Sequence, residues 1–399
     1  MGFCMEFEDF LDWVNKNVPA LVFLVCFVLP VVMFFLKNGF MGYDSYYFLK
    51  EICFGNPLYT NAGSLLFDYL RFYIPCNEIL IKTMLVSLFG ISLAAIYWVG
   101  KLFDRKAGVL LVLFTGIAPI LINNSFKFEN DNFAFPLIYL SFLLMLIFAQ
   151  KRKILAFITS LVLLVIAAGF WGGAVYLLIP YLAFAPASLL LLIPIILLKQ
   201  EEFFGHLTPK FLVSENHPIK ALLNLVFYWV FLMFSSGHRI TKEKLGLATI
   251  IAIIISFLNP KLMIIFIPLF GLMILQVYDN ASEINKKKII CLALVFNVAW
   301  GLSINGASNS PTDTELIGAQ ETVKYAKENN LIIRNDWGLG HLILYYGGET
   351  PNHSYYSKQS YLQEPNSAVL SRKQLACPRV KEFDYPLMPF VESLTLYHC

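Results

Sequence analysis

Four acidic residues lie just outside long apolar runs of this chain, at Asp44, Glu129, Asp131 and Glu215. Acidic side chains beside apolar segments are costly, and they tend to mark sites for ions or substrates. Oxygen ligands gathered from several loops are what a hard divalent cation such as Mg²⁺ requires. The four carboxylates are therefore candidates for a single metal or substrate site.

Each carboxylate also has an ordinary structural explanation. Asp44 could cap a helix in the YYFLKEI segment that follows it. Glu129 and Asp131 precede an apolar run, where the positive end of a helix dipole favours acids. Their i, i+2 spacing makes the side chains diverge in a turn, so one could bind a metal and the other could support it. Glu215 lies in a mildly basic loop and could form a simple ion pair.

Other polar residues occupy comparable positions. Lys261 opens a late apolar run, where it could extend to the membrane interface or act as a point charge for a lipid-linked phosphate. His217, near Glu215, could be a ligand or a solvated loop residue. Asp336 and Trp337, in the segment RNDWGLGH, could form a turn with a packed indole or part of a binding site.

The composition places the chain in a membrane. Of its 399 residues 58% are hydrophobic and only 14% are charged, whereas soluble domains carry about 25% charged residues. Several apolar runs approach the roughly 18 residues that cross a bilayer. The basic residues fall in short loops, which indicates topology rather than a nucleic-acid partner. The first run follows an acidic segment without a small-residue cleavage pattern, so we expect it to be retained.

The hydrophobic pattern predicts a mainly α polytopic membrane protein of about 11 to 13 transmembrane helices. We place spans near residues 18–37, 79–99, 107–122, 132–149, 154–169, 171–185, 187–199, 222–236, 245–258, 261–277 and 288–304. This count puts four basic loops on one face, which the positive-inside rule makes cytoplasmic. These loops contain Lys101, Arg105 and Lys106; Lys151, Arg152 and Lys153; His238, Arg239, Lys242 and Lys244; and Lys286, Lys287 and Lys288.

The opposite face, which this orientation makes extracytoplasmic, then carries the polar loops and the candidate site residues. It holds the loops 38–78, 123–131 and 200–221 of a membrane domain covering residues 1–304. Residues 305–399 are more polar and predict a short extracytoplasmic α/β domain, with a helix at ETVKYAKENN and a strand at LIIRND. The seven cysteines lack zinc-type spacing, and Cys53 and Cys76 could be paired or free thiols.

Six segments, in this order, resemble the catalytic subunit of oligosaccharyltransferase of the archaeal and eukaryotic single-subunit type. They are GYDSYY, ENDNFAFPLIYLSF, GFWGGAVYLLIP, VSENHP, NPKLMIIFIPLFGL and RNDWGLGH, which together cover about residues 40 to 350. The resemblance implies a membrane fold of the GT-C type. It also implies transfer of an oligosaccharide from a polyprenyl phosphate or pyrophosphate to the side-chain amide of Asn in Asn-x-Ser/Thr sequons of an acceptor polypeptide.

The resemblance also assigns roles to residues. Asp44 and Glu215 would be catalytic and bind the acceptor amide, while Asp44, Glu129 and Asp131 would bind Mn²⁺ or Mg²⁺. Substrate binding would fall to a wider set: Lys261 near the lipid phosphate or the metal, together with His217, Trp171, Asp336 and Trp337.

The chain departs from the family pattern in the soluble block, where Arg334 and Asn335 replace a tandem Trp. One alternative is therefore a related GT-C transferase with a non-peptide acceptor, in which Asp44 acts as a general base on a hydroxyl. A further alternative is a non-enzymatic paralogue or a transporter.

Overall fold

The described part of the protein consists of long apolar helices followed by a small sheet. The structure is a computed structural model, and it describes residues 7–54, 73–178, 243–302, 311–336, 338–350, 365–384 and 393–399. The helices before residue 303 are α1 (Phe7–Phe23), α2 (Leu29–Leu36), α3 (Tyr43–Phe54), α4 (Glu78–Lys101), α5 (Arg105–Thr115), α6 (Pro119–Ser125), α7 (Asn130–Lys151), α8 (Ile154–Phe170), α9 (Glu243–Leu258), α10 (Met263–Asn280) and α11 (Glu283–Leu302). A π-helical turn, Leu24–Val28, joins α1 to α2.

Four of these helical segments are long and apolar enough to cross a bilayer. They are Asp12–Leu36, Glu78–Lys101, Asn130–Lys151 and Met263–Asn280. Helix α8 has 17 residues, and the apolar part of α9 is shorter still. Helix α11 carries three lysines in its first two turns. Among the described residues, four segments therefore pass this test of length and composition, or five if the bent pair α5 and α6 forms one span.

The span predicted at 107–122 is wrong as one continuous helix, because α5 and α6 meet at 80°. The chain breaks at Gly116 to Ala118, and Pro119 begins α6 at a position where its missing N–H costs nothing. Two side chains of α11 satisfy carbonyls that the break frees. Asn297 donates to the Leu113 carbonyl at 3.0 Å, and Trp300 donates to the Ile117 carbonyl at 2.7 Å. Such partners are what allow a helix to break inside a bilayer.

The span predicted at 171–185 begins as a 3₁₀ helix, Gly172–Leu177, and not as an α-helix. Its remainder after residue 178 lies outside the described residues. The predicted spans at 187–199 and 222–236 and the predicted loop 200–221 also lie outside them.

The C-terminal part is a small α/β unit, as predicted. Helix α12 (Asp313–Asn329) precedes β1 (Ile332–Asn335), α13 (Leu339–Tyr345), β2 (Ser367–Ser371), β3 (Arg379–Phe383) and β4 (Leu394–His398). The strand order is β1-β2-β4-β3, with β1 and β2 parallel and the other pairs antiparallel. Helix α12 packs on the sheet, and strand β2 is buried along its whole length.

This C-terminal unit packs directly on α3, so its core is continuous with that of the helical bundle. Glu315 lies in the first turn of α12, where it forms a capping box with Thr312, and it also accepts a hydrogen bond from the Tyr43 hydroxyl at 2.7 Å. The Arg372 guanidinium at the end of β2 contacts the same carboxylate and donates to the Tyr43 hydroxyl at 3.3 Å. An ion pair that is hydrogen-bonded to Tyr43 therefore lies next to the candidate residue Asp44.

Two disulfides join residues on this side of the molecule. Cys53 at the end of α3 pairs with Cys76, which resolves the alternative that the sequence left open. Cys377 pairs with Cys399, tying the segment before β3 to the residue after β4. Structural disulfides persist in oxidising compartments.

Candidate functional site

The loop before α3 and the loop before α7 lie side by side. Met41 and Lys127 form an isolated parallel bridge, and the Phe128 amide donates to the Ser45 hydroxyl at 2.8 Å. Gly42 has a φ of +77°, and a Cβ there would lie 3.2 Å from Oε1 of Glu129. The chain therefore needs glycine at this position, both for its backbone conformation and for the close approach of the acidic loop.

Glu129 and Asp131 are buried at the start of α7. Glu129 is the N-cap residue, and Asp131 lies in the first turn, where the helix dipole favours its charge. Glu129 is 4% exposed and Asp131 is 1% exposed. Both oxygens of Asp131 lack a hydrogen-bond donor among the described residues. Buried carboxylates require compensation by a cation or by donors, so this pair must face a positive charge.

Lys261 supplies a positive charge to this pair. It lies in the 3₁₀ turn Pro260–Leu262, and its backbone amide donates to the Asn259 side-chain oxygen at 3.1 Å. Its Nζ is 2.8 Å from Oδ2 of Asp131 and 3.6 Å from Oε2 of Glu129. The 2.8 Å contact is an ion pair without hydrogen-bond geometry. It neutralises charge, but the Asp131 oxygens still lack a hydrogen-bond donor among the described residues.

A second lysine and a third carboxylate complete the electrostatics around Glu129. Lys127 Nζ is 3.7 Å from Oε1 of Glu129. Burial raises the pKa of Glu129 to about 7; Lys127 and Lys261 oppose this rise, whereas the charges of Asp131 and Asp44 add to it. Asp44 and Asp131 are therefore both close enough to Glu129 for their charges to act on it.

Asp44 has a neighbour that the sequence does not identify. His341, on α13 of the C-terminal unit, places its Nε2 3.5 Å from Oδ1 of Asp44. The His341 side chain is 11% exposed, and its ring packs edge-on against the Tyr47 ring, with 5.5 Å between the ring centroids. His341 is the last residue of the segment RNDWGLGH. The sequence marks this segment as a candidate for substrate binding but gives no role to its histidine. The C-terminal unit thereby contributes a side chain to the edge of the carboxylate cluster.

Asp336 has a different environment from the one expected of a substrate-binding residue. Its carboxylate accepts hydrogen bonds from the Ser371 hydroxyl at 3.0 and 3.1 Å and from the Arg372 amide at 2.7 Å. These contacts hold the end of β2 against the end of β1. In the structure Asp336 stabilises the sheet, and substrate binding by this residue stays a prediction.

Of the remaining predicted site residues, Trp171 lies within the described part of the chain and the others lie outside it. Trp171 is buried between Phe135, whose ring lies edge-on at 6.0 Å, and the backbone of Gly173. Its role in substrate binding stays a prediction. Glu215, His217 and Trp337 lie outside the described residues.

The donor chemistry of the cluster suits a hard divalent cation. Asp44, Glu129 and Asp131 supply carboxylate oxygens, and those of Asp131 are buried without a hydrogen-bond donor among the described residues. As they stand, the described residues contain no group of three His, Cys, Asp or Glu side chains spaced to hold a metal ion. Because Lys261 lies between two of the carboxylates, ion binding would require this lysine to move.

Comparison with known proteins finds no protein-family model that matches the chain and no curated protein that matches it. The functional assignment therefore depends on the residues and contacts described above.

Proposed function

We propose that this protein is a metal-dependent membrane glycosyltransferase of the oligosaccharyltransferase type. It would move an oligosaccharide from a polyprenyl phosphate or pyrophosphate to the amide of Asn in an Asn-x-Ser/Thr acceptor polypeptide. The observation that carries the proposal is the cluster of Asp44, Glu129, Asp131 and Lys261 at one end of an apolar bundle. In this proposal the bundle has the GT-C architecture, completed by the predicted spans outside the described residues.

The position of the cluster suits a substrate with a lipid tail and a phosphate head group. Asp131 lies in the first turn of the spanning helix α7, and Lys261 immediately precedes Leu262, the N-cap residue of α10. Both residues would therefore lie at the boundary between the hydrocarbon and the head-group region, where a polyprenyl phosphate presents its charge. The disulfides Cys53–Cys76 and Cys377–Cys399 support an extracytoplasmic active face.

The residues can then be given chemical tasks. An amide nitrogen is a poor nucleophile because its lone pair is delocalised, as the barrier of about 18–20 kcal/mol to amide rotation shows. Asp44 and Glu215 would accept the two N–H bonds of the acceptor amide, weakening the conjugation and orienting the nitrogen. As the bond from the anomeric carbon to the phosphate oxygen breaks and the carbon–nitrogen bond forms, one amide proton would pass to a carboxylate.

The phosphate side of the reaction needs positive charge. A Mg²⁺ or Mn²⁺ ion held by Asp44, Glu129 and Asp131 would act as a Lewis acid toward the departing phosphate. Lys261 would add a point charge toward the same group, although without the two-pronged contact of an arginine.

A second candidate is a related transferase with a hydroxyl acceptor. Two observations favour it: His341 lies beside Asp44, and the sheet already engages the Asp336 carboxylate. In this reaction Asp44 would be the general base, with His341 orienting its carboxylate. The C-terminal unit would then have no role in holding the Ser or Thr of a sequon.

Both candidates can be tested with purified protein in lipid nanodiscs supplied with a polyprenyl-linked oligosaccharide. The acceptors are an Asn-x-Thr peptide, the matched Gln-x-Thr peptide, and free sugar or lipid hydroxyls. Glycopeptide formation from the Asn peptide alone, abolished by EDTA and restored by Mn²⁺, is the result expected of the first function. Product on hydroxyl acceptors only would establish the second, and no product with any acceptor would refute both.

The site assignment has its own test in the variant Glu215→Ala. We expect loss of transfer to the Asn peptide, with an unchanged elution profile and melting temperature. Unchanged turnover in this variant would remove Glu215 from the mechanism.

A further inference from the structure

The ammonium group of Lys261 occupies the space between two buried carboxylates. It lies 2.8 Å from Asp131 and 3.6 Å from Glu129, the two acids that open α7. A divalent ion bound by the same carboxylates would need this space. Because two cations at such short range repel each other strongly in a poorly solvated site, the lysine and the ion are alternatives.

The surroundings of Lys261 allow such an exchange. Its backbone is fixed by the 3₁₀ turn and by the bond from its amide to Asn259. Its side chain is 27% exposed, whereas the Asp131 side chain is almost fully buried. A lysine carries its charge on a flexible four-carbon chain. The ammonium can therefore leave the carboxylates while the rest of the turn stays in place.

Lys127 provides a contrast within the same cluster. Its Nζ lies 3.7 Å from Glu129, but its side chain is only 7% exposed. Residue 127 also pairs with Met41 in the bridge that joins the two loops. Lys127 is therefore a fixed positive charge, and Lys261 is the lysine with a route out of the cluster.

We propose that Lys261 holds the place of the metal ion in the resting site and moves to the phosphate of the lipid-linked donor when the ion binds. This inference rests on the proposed function and adds a property to it. The donor phosphate would draw the ammonium away from Asp131, and so it would open the ion site. The ion, by displacing the ammonium, would make it available to the phosphate. Metal and donor would therefore each increase the affinity of the other, as linkage requires.

The test measures Mn²⁺ binding by electron paramagnetic resonance, which reports free Mn²⁺ without requiring turnover. Wild-type protein and the variants Lys261→Gln, Lys261→Arg and Lys127→Gln are titrated in nanodiscs with and without dolichyl phosphate. In the wild type we expect dolichyl phosphate to tighten Mn²⁺ binding by about 10-fold, within the usual range of coupling between sites. Lys261→Gln should bind Mn²⁺ about 10-fold more tightly without the lipid, and the lipid should then have no further effect.

The two other variants separate position from charge. Lys261→Arg keeps the charge and should retain the weak binding of the lipid-free wild type. Lys127→Gln removes the same charge from the fixed lysine, and the effect of dolichyl phosphate should persist in it. An equal gain in affinity and an equal loss of the lipid effect in Lys127→Gln would overturn the proposal, because net charge alone would explain the data.

The remaining outcomes distinguish this inference from the function on which it rests. If the wild type binds Mn²⁺ and Lys261→Gln binds it equally or more weakly, the exchange is refuted and the metal-dependent function stands. If the wild type binds no Mn²⁺ with or without the lipid, both the exchange and the metal-dependent function are refuted.

Discussion

Replacement of Glu129 by glutamine should remove a specific part of the pH dependence of stability. Burial raises the pKa of Glu129 from an ordinary 4.5 to about 7. The folded state therefore binds more protons than the unfolded state between these values, and stability must fall as the pH rises through this window. Below about pH 4.5 the carboxyl is protonated in both states and the effect is absent.

The size of the effect follows from the shift. Each pKa unit corresponds to about 1.4 kcal/mol, so the full shift is worth on the order of 3 kcal/mol. Between pH 5 and pH 8 the free energy of unfolding of the wild type should therefore fall by about 2 to 3 kcal/mol because of this residue. The variant Glu129→Gln should lack this pH-dependent loss of stability. The variant also removes a negative charge from beside Lys127 and Lys261. The resulting loss of stability should change little over the same pH range.

The assay compares unfolding of the wild type and Glu129→Gln in detergent with EDTA at pH 5 and pH 8, followed by tryptophan fluorescence. The quantity of interest is the change in stability between the two pH values, since a constant cost of the substitution then cancels. We expect the wild type to lose markedly more stability than the variant. Equal losses in the two proteins would refute the argument that Glu129 is buried and electrostatically coupled to the cluster.

Three further predictions concern the structure around the site. Asp336→Asn should destabilise the C-terminal unit by about 1.5 to 3 kcal/mol, because hydrogen bonds to a charged acceptor are lost; loss of stability without loss of peptide affinity would support its structural role. Asn297→Val should cost on the order of 1 kcal/mol and lower the melting temperature, because the broken helix loses a donor inside the bilayer; an unchanged melting temperature would contradict this. Replacing Cys377 and Cys399 together by serine should cost about 2 to 5 kcal/mol, measured as faster proteolysis of the C-terminal unit under conditions where the wild type is resistant.

The local sequence was sufficient for most of the described helices, whereas only β1 of the four described strands was predicted from it. Apolar runs of sufficient length can satisfy their backbone groups in a bilayer only as helices or barrels, so the segments now seen as α4, α7 and α10 were predictable. The strand β1 and helix α12 also follow from local periodicity. The bend between α5 and α6 was not predictable, because it depends on Asn297 and Trp300, which lie far away in the sequence.

Sequence alone determined that acidic residues lie at the ends of apolar segments, because hydropathy and charge are properties of each segment by itself. It identified Asp44, Glu129 and Asp131 together with Lys261. Only the tertiary structure decided which of these groups meet. It placed Lys261 between two acids and brought His341 to Asp44, and it engaged Asp336 in the sheet. The physical reason is that the cost of a buried charge depends on its partners in space, and the partners of these residues come from distant parts of the chain.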